Sequence, residues 1–177
     1  MFTRILIALI IIPFIFIIAQ TEHAFVGVST CGMCHKTEKQ GNQLSIWQNS
    51  KHSQAYTALQ SEQANEIAKM KGFNTPAAET PECLKCHASG YNVDTKFIGS
   101  KFKVEDGVQC ETCHGAGEDY KSKKVMENRE EAIANGLFVP ENIEDFCIGC
   151  HNTESPTYVE FNFETMWDKI KHPVPQN

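Results

Sequence analysis

The sequence predicts a small, mostly α-helical domain with few short strands. Two observations carry that expectation. Apolar residues recur at helical spacing in residues 43–59, 61–71 and 163–171. All eight cysteines also fall in four copies of one pattern, Cys-x-x-Cys-His, with none left over. A third observation bounds the fold: the 41% hydrophobic content includes an apolar leader, so the rest of the chain has only a modest apolar core of its own.

The leader comes first. Met1 to Arg4 bring one positive charge, Ile5 to Ala19 are unbroken apolar residues, and Gln20 to His23 turn polar at once. Residues 1–19 thus read as a secretory signal peptide or a retained N-terminal membrane anchor, with 20–177 as the domain. The protein is expected to be exported, either periplasmic or tethered through 5–19 and facing the periplasm.

Within the domain, Leu44, Trp47, Lys51, Ala55, Tyr56 and Leu59 predict one helix over 43–59, and Gly72 stops a second over 61–71. Residues 74–81, with Pro76 and Pro81, read as a loop. Residues 96–104 alternate enough for a small hairpin. Residues 118–135 read as a charged helix ended by Gly136. Phe163, Met166, Trp167 and Ile170 make a last helical stripe, closed by Pro173.

The four patterns are Cys31-Gly32-Met33-Cys34-His35, Cys83-Leu84-Lys85-Cys86-His87, Cys110-Glu111-Thr112-Cys113-His114 and Cys147-Ile148-Gly149-Cys150-His151. Two thiols three residues apart on one turn can add to the two vinyl groups of a haem, and the next histidine is then aimed at the iron. Zinc sites and disulfides use similar cysteine spacings but have no need of a histidine directly after the second cysteine. The pattern therefore implies four covalently bound haem c groups, each carrying iron. Packed this densely, they form the core of a small multihaem cytochrome c fold with stacked haems, and their contact makes a conducting chain.

Each iron has a second axial position. His35, His87, His114 and His151 are the proximal ligands, which leaves His23, His52 and His172. His52 shares the apolar face of Ala55, Tyr56 and Leu59. His172 follows the last stripe, off its apolar side, and His23 lies just past the leader. One or two haems remain without a histidine; Met126, Met70, Met33, Lys124 or an open position could serve them.

The order of motifs resembles the cytochrome c-554 family. The carriers of the resemblance are Phe25-Val26-Gly27 before Cys31, then Trp47 with Ser50-Lys51-His52-Ser53-Gln54-Ala55, then Gly107-Val108-Gln109 and Gly115-Ala116-Gly117 around the third motif, and finally residues 163–171. The resemblance implies a mostly helical fold and electron transfer between a periplasmic dehydrogenase and downstream carriers. It implies that His52 ligates the third haem, on His114, and His172 the fourth, on His151. It also implies that the haem on His87 is five-coordinate, its open face under a loop whose nearest counterpart is Ser155-Pro156-Thr157-Tyr158. One departure matters: the family's first haem takes a histidine from the segment after the third motif, and residues 117–131 hold none. Met126 ranks first for the haem on His35, then His23, then Lys124.

A formal charge of -6, more negative once Arg4 leaves with the leader, argues against nucleic acid and for basic redox partner proteins. The leading expectation is an electron carrier between a dehydrogenase or quinol-linked donor and downstream carriers. A nitric oxide type reductase at a five-coordinate haem is the alternative, and a self-assembling filament in which His23 caps a neighbour's haem is a third.

Overall fold

The computed structural model describes residues 23–174; the leader lies outside them. The described residues form a mostly helical fold of short helices: α1 (Val28–Cys31), α2 (Gln43–Gln48), α3 (Ala55–Leu59), α4 (Glu62–Met70), α5 (Pro81–His87), α6 (Cys110–His114), α7 (Lys123–Met126), α8 (Arg129–Ala134), α9 (Ile143–Ile148) and α10 (Phe163–Trp167). The longest, α4, has nine residues. Helices this short are marginal alone and need tertiary partners to persist. Among the described residues no helix is long and apolar enough to cross a membrane.

Three expected elements are divided or replaced. The helix over 43–59 breaks at residues 49–51, because side chains compete for the backbone there. Asn49 Nδ2 donates to Ser45 O at 2.8 Å, Ser50 Oγ to Trp47 O at 2.7 Å, and Ser53 Oγ to Ser50 O at 2.9 Å. A separate turn, His52–Gln54, then leads into α3. The helix over 118–135 splits into α7 and α8, each with its own cap: Ser122 Oγ accepts from Val125 N and Asn128 Oδ1 from Glu131 N. The hairpin at 96–104 does not form. Phe25 N donates to Phe97 O and Gly99 N to Phe25 O, both at 2.8 Å, so this segment pairs with the N-terminal strand-like stretch in a single bridge, Phe25 to Ile98.

The interior is built of small and polar residues. Among the described residues the buried hydrophobic ones are Val28, Leu59, Tyr120 and five alanines, while the largest fully buried side chains are Gln109 and Thr80. One apolar cluster, Leu59, Ala68 and Ala77, packs on Phe73, Cys83 and Leu84 beneath the second motif. The other centre is polar. Glu111, buried on α6, accepts from Val26 N and Gly27 N at 2.8 Å and from Gly117 N at 2.7 Å. Gln109 accepts from Val28 N at 3.3 Å and donates to Lys103 O at 2.7 Å. These two side chains fasten the N-terminal segment, and with it the first motif, to the third.

A buried carboxylate that satisfies three backbone N–H groups leaves all three unpaired when it is removed. Glu111→Ala is expected to lower unfolding stability by about 3 kcal/mol or more. Ser122→Ala, which removes an exposed cap, should cost about 1 kcal/mol. Guanidinium unfolding of the haem-loaded proteins measures both, and equal midpoints for the two variants would contradict the role of Glu111 as the hub.

Candidate functional site

Each Cys-x-x-Cys-His segment occupies one helical turn. The second and third are contained in α5, which Pro81 opens at its first position, and in α6. The first runs off the end of α1 and the fourth off the end of α9, yet both keep the helical register: His35 N donates to Cys31 O at 3.1 Å and His151 N to Cys147 O at 3.0 Å. All eight cysteines, Cys31, Cys34, Cys83, Cys86, Cys110, Cys113, Cys147 and Cys150, are free thiols.

The histidines come together in pairs from distant parts of the chain. The rings of His52 and His151 lie 6.1 Å apart, centroid to centroid, and those of His114 and His172 lie 5.8 Å apart. A metal–imidazole bond is about 2.0 Å long, so two rings on opposite sides of one metal have centroids roughly 6 Å apart. Both pairs have that spacing. The pairing is the reverse of the one expected, in which His52 was to join His114 and His172 was to join His151. Tertiary crossings decide it. Val108 N donates to His52 O at 3.0 Å, and Gly107, at φ +75°, has no side chain to block that carbonyl, so the His52 turn is fixed just ahead of the third motif while its ring meets the fourth. His172 is carried instead to the turn at Gly41 to Gln43, where Gln43 Nε2 donates to Pro173 O.

Burial favours the neutral form of four histidines, His114, His52, His151 and His35, the state in which histidine binds metal. His114 is pushed down to about 4, by burial first and then by His172 and His35. Burial lowers His52, with His151 adding to it, and burial also lowers His151. His35 is lowered by burial and by His172, against an opposing pull from the Gln43 amide.

The remaining pair of proximal histidines differs. His87 Nδ1 donates to Ala55 O at 2.8 Å, which leaves Nε2 as the free nitrogen, the arrangement usual for a metal-binding histidine. A cavity of about 220 Å³ lies over it, lined by His87, His151, Ser155, Thr157, Tyr158 and Val159. The loop expected to cover this histidine therefore does share a cavity with it. His151 also stacks on Phe161 at 4.8 Å. His35 has a buried Nδ1 with no hydrogen-bond partner.

His23 is held within its own chain. Its Nδ1 and Asp119 Oδ2 are 2.6 Å apart, and its ring packs on Gly136, where a Cβ would come within 2.7 Å of Nε2. Met126 ends α7 and is half-buried, whereas Lys124 is exposed. Asp119, Gln43 and Phe161 carried no sequence signal: an acid in a charged stretch, an amide and a lone aromatic are all unremarkable there.

The motifs also touch one another. The thiols of Cys31 and Cys110 lie together, and that contact, with burial, raises Cys31. Cys113 is pushed up to about 11, by burial and then by Cys147. Cys150 is pushed up to about 12, by burial and then by Cys86, and Lys85 Nζ pairs with Glu154 Oε2 at 2.9 Å over that junction. In space the first motif meets the third, the third the fourth, and the fourth the second.

Cysteine pairs on helical turns, each followed by a histidine, and two further imidazoles at metal-spanning distance from those histidines are the donor set that haem c requires. The comparisons agree with this chemistry. The family model described as cytochrome c554 and c-prime matches residues 30–115, the stretch that holds the first three motifs. Cytochrome c-554 of Nitrosomonas europaea is 31% identical over 142 residues, which cover 72% of this chain and 57% of that protein. The chain thus spans little more than half the length of this curated relative, and no solved structure matches. The chain is similar to the cytochrome c-554 family over most of its described length.

Proposed function

We propose that residues 20–177 form a tetrahaem cytochrome c domain that passes electrons between a dehydrogenase or quinol-linked donor and downstream redox carriers. The leader, residues 1–19, sends the domain to the periplasm or anchors it facing that compartment. Haem c supplies reversible one-electron chemistry at iron; the chain's residues bind, orient and space the groups. Each cysteine pair would hold one haem, and His35, His87, His114 and His151 would ligate the four irons. The single observation that carries the reading is the pair of imidazole separations, 6.1 and 5.8 Å, between histidines of unrelated segments.

In this reading His52 completes the site on His151 and His172 the site on His114. Met126 is the first choice at His35, followed by His23 and Lys124. The neighbouring cysteines order the path as first, third, fourth and second motif, so electrons enter or leave at the ends, near His35 or His87. The acidic surface steers basic partner proteins toward them.

One observation favours a second reading. The loop residues Ser155, Thr157 and Tyr158 line a cavity with His87, as the resemblance implies for a five-coordinate haem, so a reductase acting on nitric oxide or a related species would work there. A filament would need His23 for a neighbouring subunit. Asp119 and Gly136 instead hold it in its own chain.

Four haems per chain are expected by haem quantification, and the ferrous wild type is expected to bind carbon monoxide at one haem, that on His87. Fewer than four haems would end the tetrahaem reading, and no carbon monoxide binding would end the reductase reading.

His52→Ala is expected to open the haem on His151 to carbon monoxide, and His172→Ala the haem on His114, as followed by NMR of the assigned haem methyl groups. The reverse assignment would contradict the pairing. Because methionine ligation raises a haem potential, Met126→Ala should lower the potential of the haem on His35. An unchanged potential there, with a change in His23→Ala, would transfer the role to His23.

A further inference from the structure

We infer that Gln43 is a positioning residue shared by two haem ligands, its Oε1 accepting the Nδ1–H of His35 while its Nε2 holds the Pro173 carbonyl beside His172. The inference rests on the proposed roles of His35 and His172 as iron ligands, and it assigns a function to a residue outside the ligand set.

The geometry begins with the turn after the first motif. Thr37 Oγ1 accepts from Gln40 N to cap the turn Glu38–Gln40, and Gly41 at φ +95° and Asn42 at φ +56° then reverse the chain. Leu44 N donates to His35 O at 2.8 Å, which brings Gln43 back beside the histidine. Among the described residues, His35 Nδ1 and Gln43 Oε1 are the two buried side-chain polar atoms without a hydrogen-bond partner. One offers a donor and the other an acceptor. Buried groups of this kind are nearly always paired in native proteins, and each is the obvious partner of the other.

The other end of the same side chain is engaged already. Gln43 Nε2 donates to Pro173 O at 3.3 Å, one residue beyond His172. Gly41 completes the seat: a Cβ there would stand 2.6 Å from Pro173 O and 2.7 Å from Gln43 Nε2, so only glycine admits the carbonyl and the amide together. One amide therefore joins the proximal ligand of the first motif to the chain end that carries the distal ligand of the third.

An acceptor on Nδ1–H makes an imidazole a stronger donor to the metal and holds its ring orientation. Its strength should then tune the potential of the haem on His35. The test is redox titration of haem-loaded wild type, Gln43→Leu and Gln43→Glu, with each haem assigned by NMR of its methyl groups. Gln43→Leu, which removes the acceptor, should shift the potential of the haem on His35 upward. Gln43→Glu, a near-isosteric change to a stronger acceptor, should shift it downward. Gln43→Leu and Gly41→Ala should also loosen His172 and increase carbon monoxide binding at the ferrous haem on His114, toward the level of His172→Ala.

Potentials that stay at the wild-type value in both Gln43 variants, or move in the same direction, would overturn the inference. If His172→Ala itself adds no carbon monoxide binding at His114, the ligand assignment beneath the inference fails. If His172→Ala adds it but Gln43→Leu and Gly41→Ala do not, the shared role of Gln43 fails while the ligand assignment stands.

Discussion

A histidine directly after the second cysteine leaves its helical turn on the same side as the two thiols. That local geometry fixes a macrocycle and one axial nitrogen within five residues, but it cannot supply the opposite nitrogen. In the proposed reading the second imidazole arrives from elsewhere in the chain, and two long-range contacts of this fold bring His52 and His172 to their partner rings. The His52 turn is clamped to Val108 beside a bare Gly107. The chain end that bears His172 is seated on Gly41 and Gln43. In each case a glycine lets two backbones approach closely enough to bring a ring across.

The composition of the interior follows from the same constraint. Five alanines and a few larger residues are buried, and the centre between the first and third motifs is held by the Glu111 carboxylate and the Gln109 amide. Directional hydrogen bonds can fix segments in place where large side chains would take up space. The same hub holds the Cys31 and Cys110 thiols against each other. Stability and the spacing of the proposed electron path thus depend on common residues, and a change at Glu111 reaches both.

Much of this was legible in the sequence because the relevant signals are local. The four motifs, the mostly helical class and the stops at Gly72 and Gly136 depend on residues within one turn of each other, and both glycines take the left-handed conformation expected of them. His52 was legible as a candidate because its neighbours mark an apolar face. The pairing of histidines was not, since it depends on which segments cross, and the expected partners of His52 and His172 were exchanged. Helix continuity over 43–59 failed for a different reason: Asn49, Ser50 and Ser53 fit the helical pattern but divert backbone carbonyls to their own side chains. The hairpin at 96–104 failed because Phe25 supplied the better partner. Asp119 and Gln43 had no signal in the sequence, because a supporting hydrogen bond leaves no spacing rule.

The central claim is that four haems sit in unlike coordination: two between paired histidines, one open on His87 and one on His35 without a histidine from the segment after the third motif. Low-temperature electron paramagnetic resonance with near-infrared magnetic circular dichroism, on the fully oxidised protein, separates these cases in one sample. Two bis-histidine low-spin haems, one high-spin haem and one low-spin haem with a methionine charge-transfer band are the expected result. Four equivalent bis-histidine haems, or none at all, would contradict it.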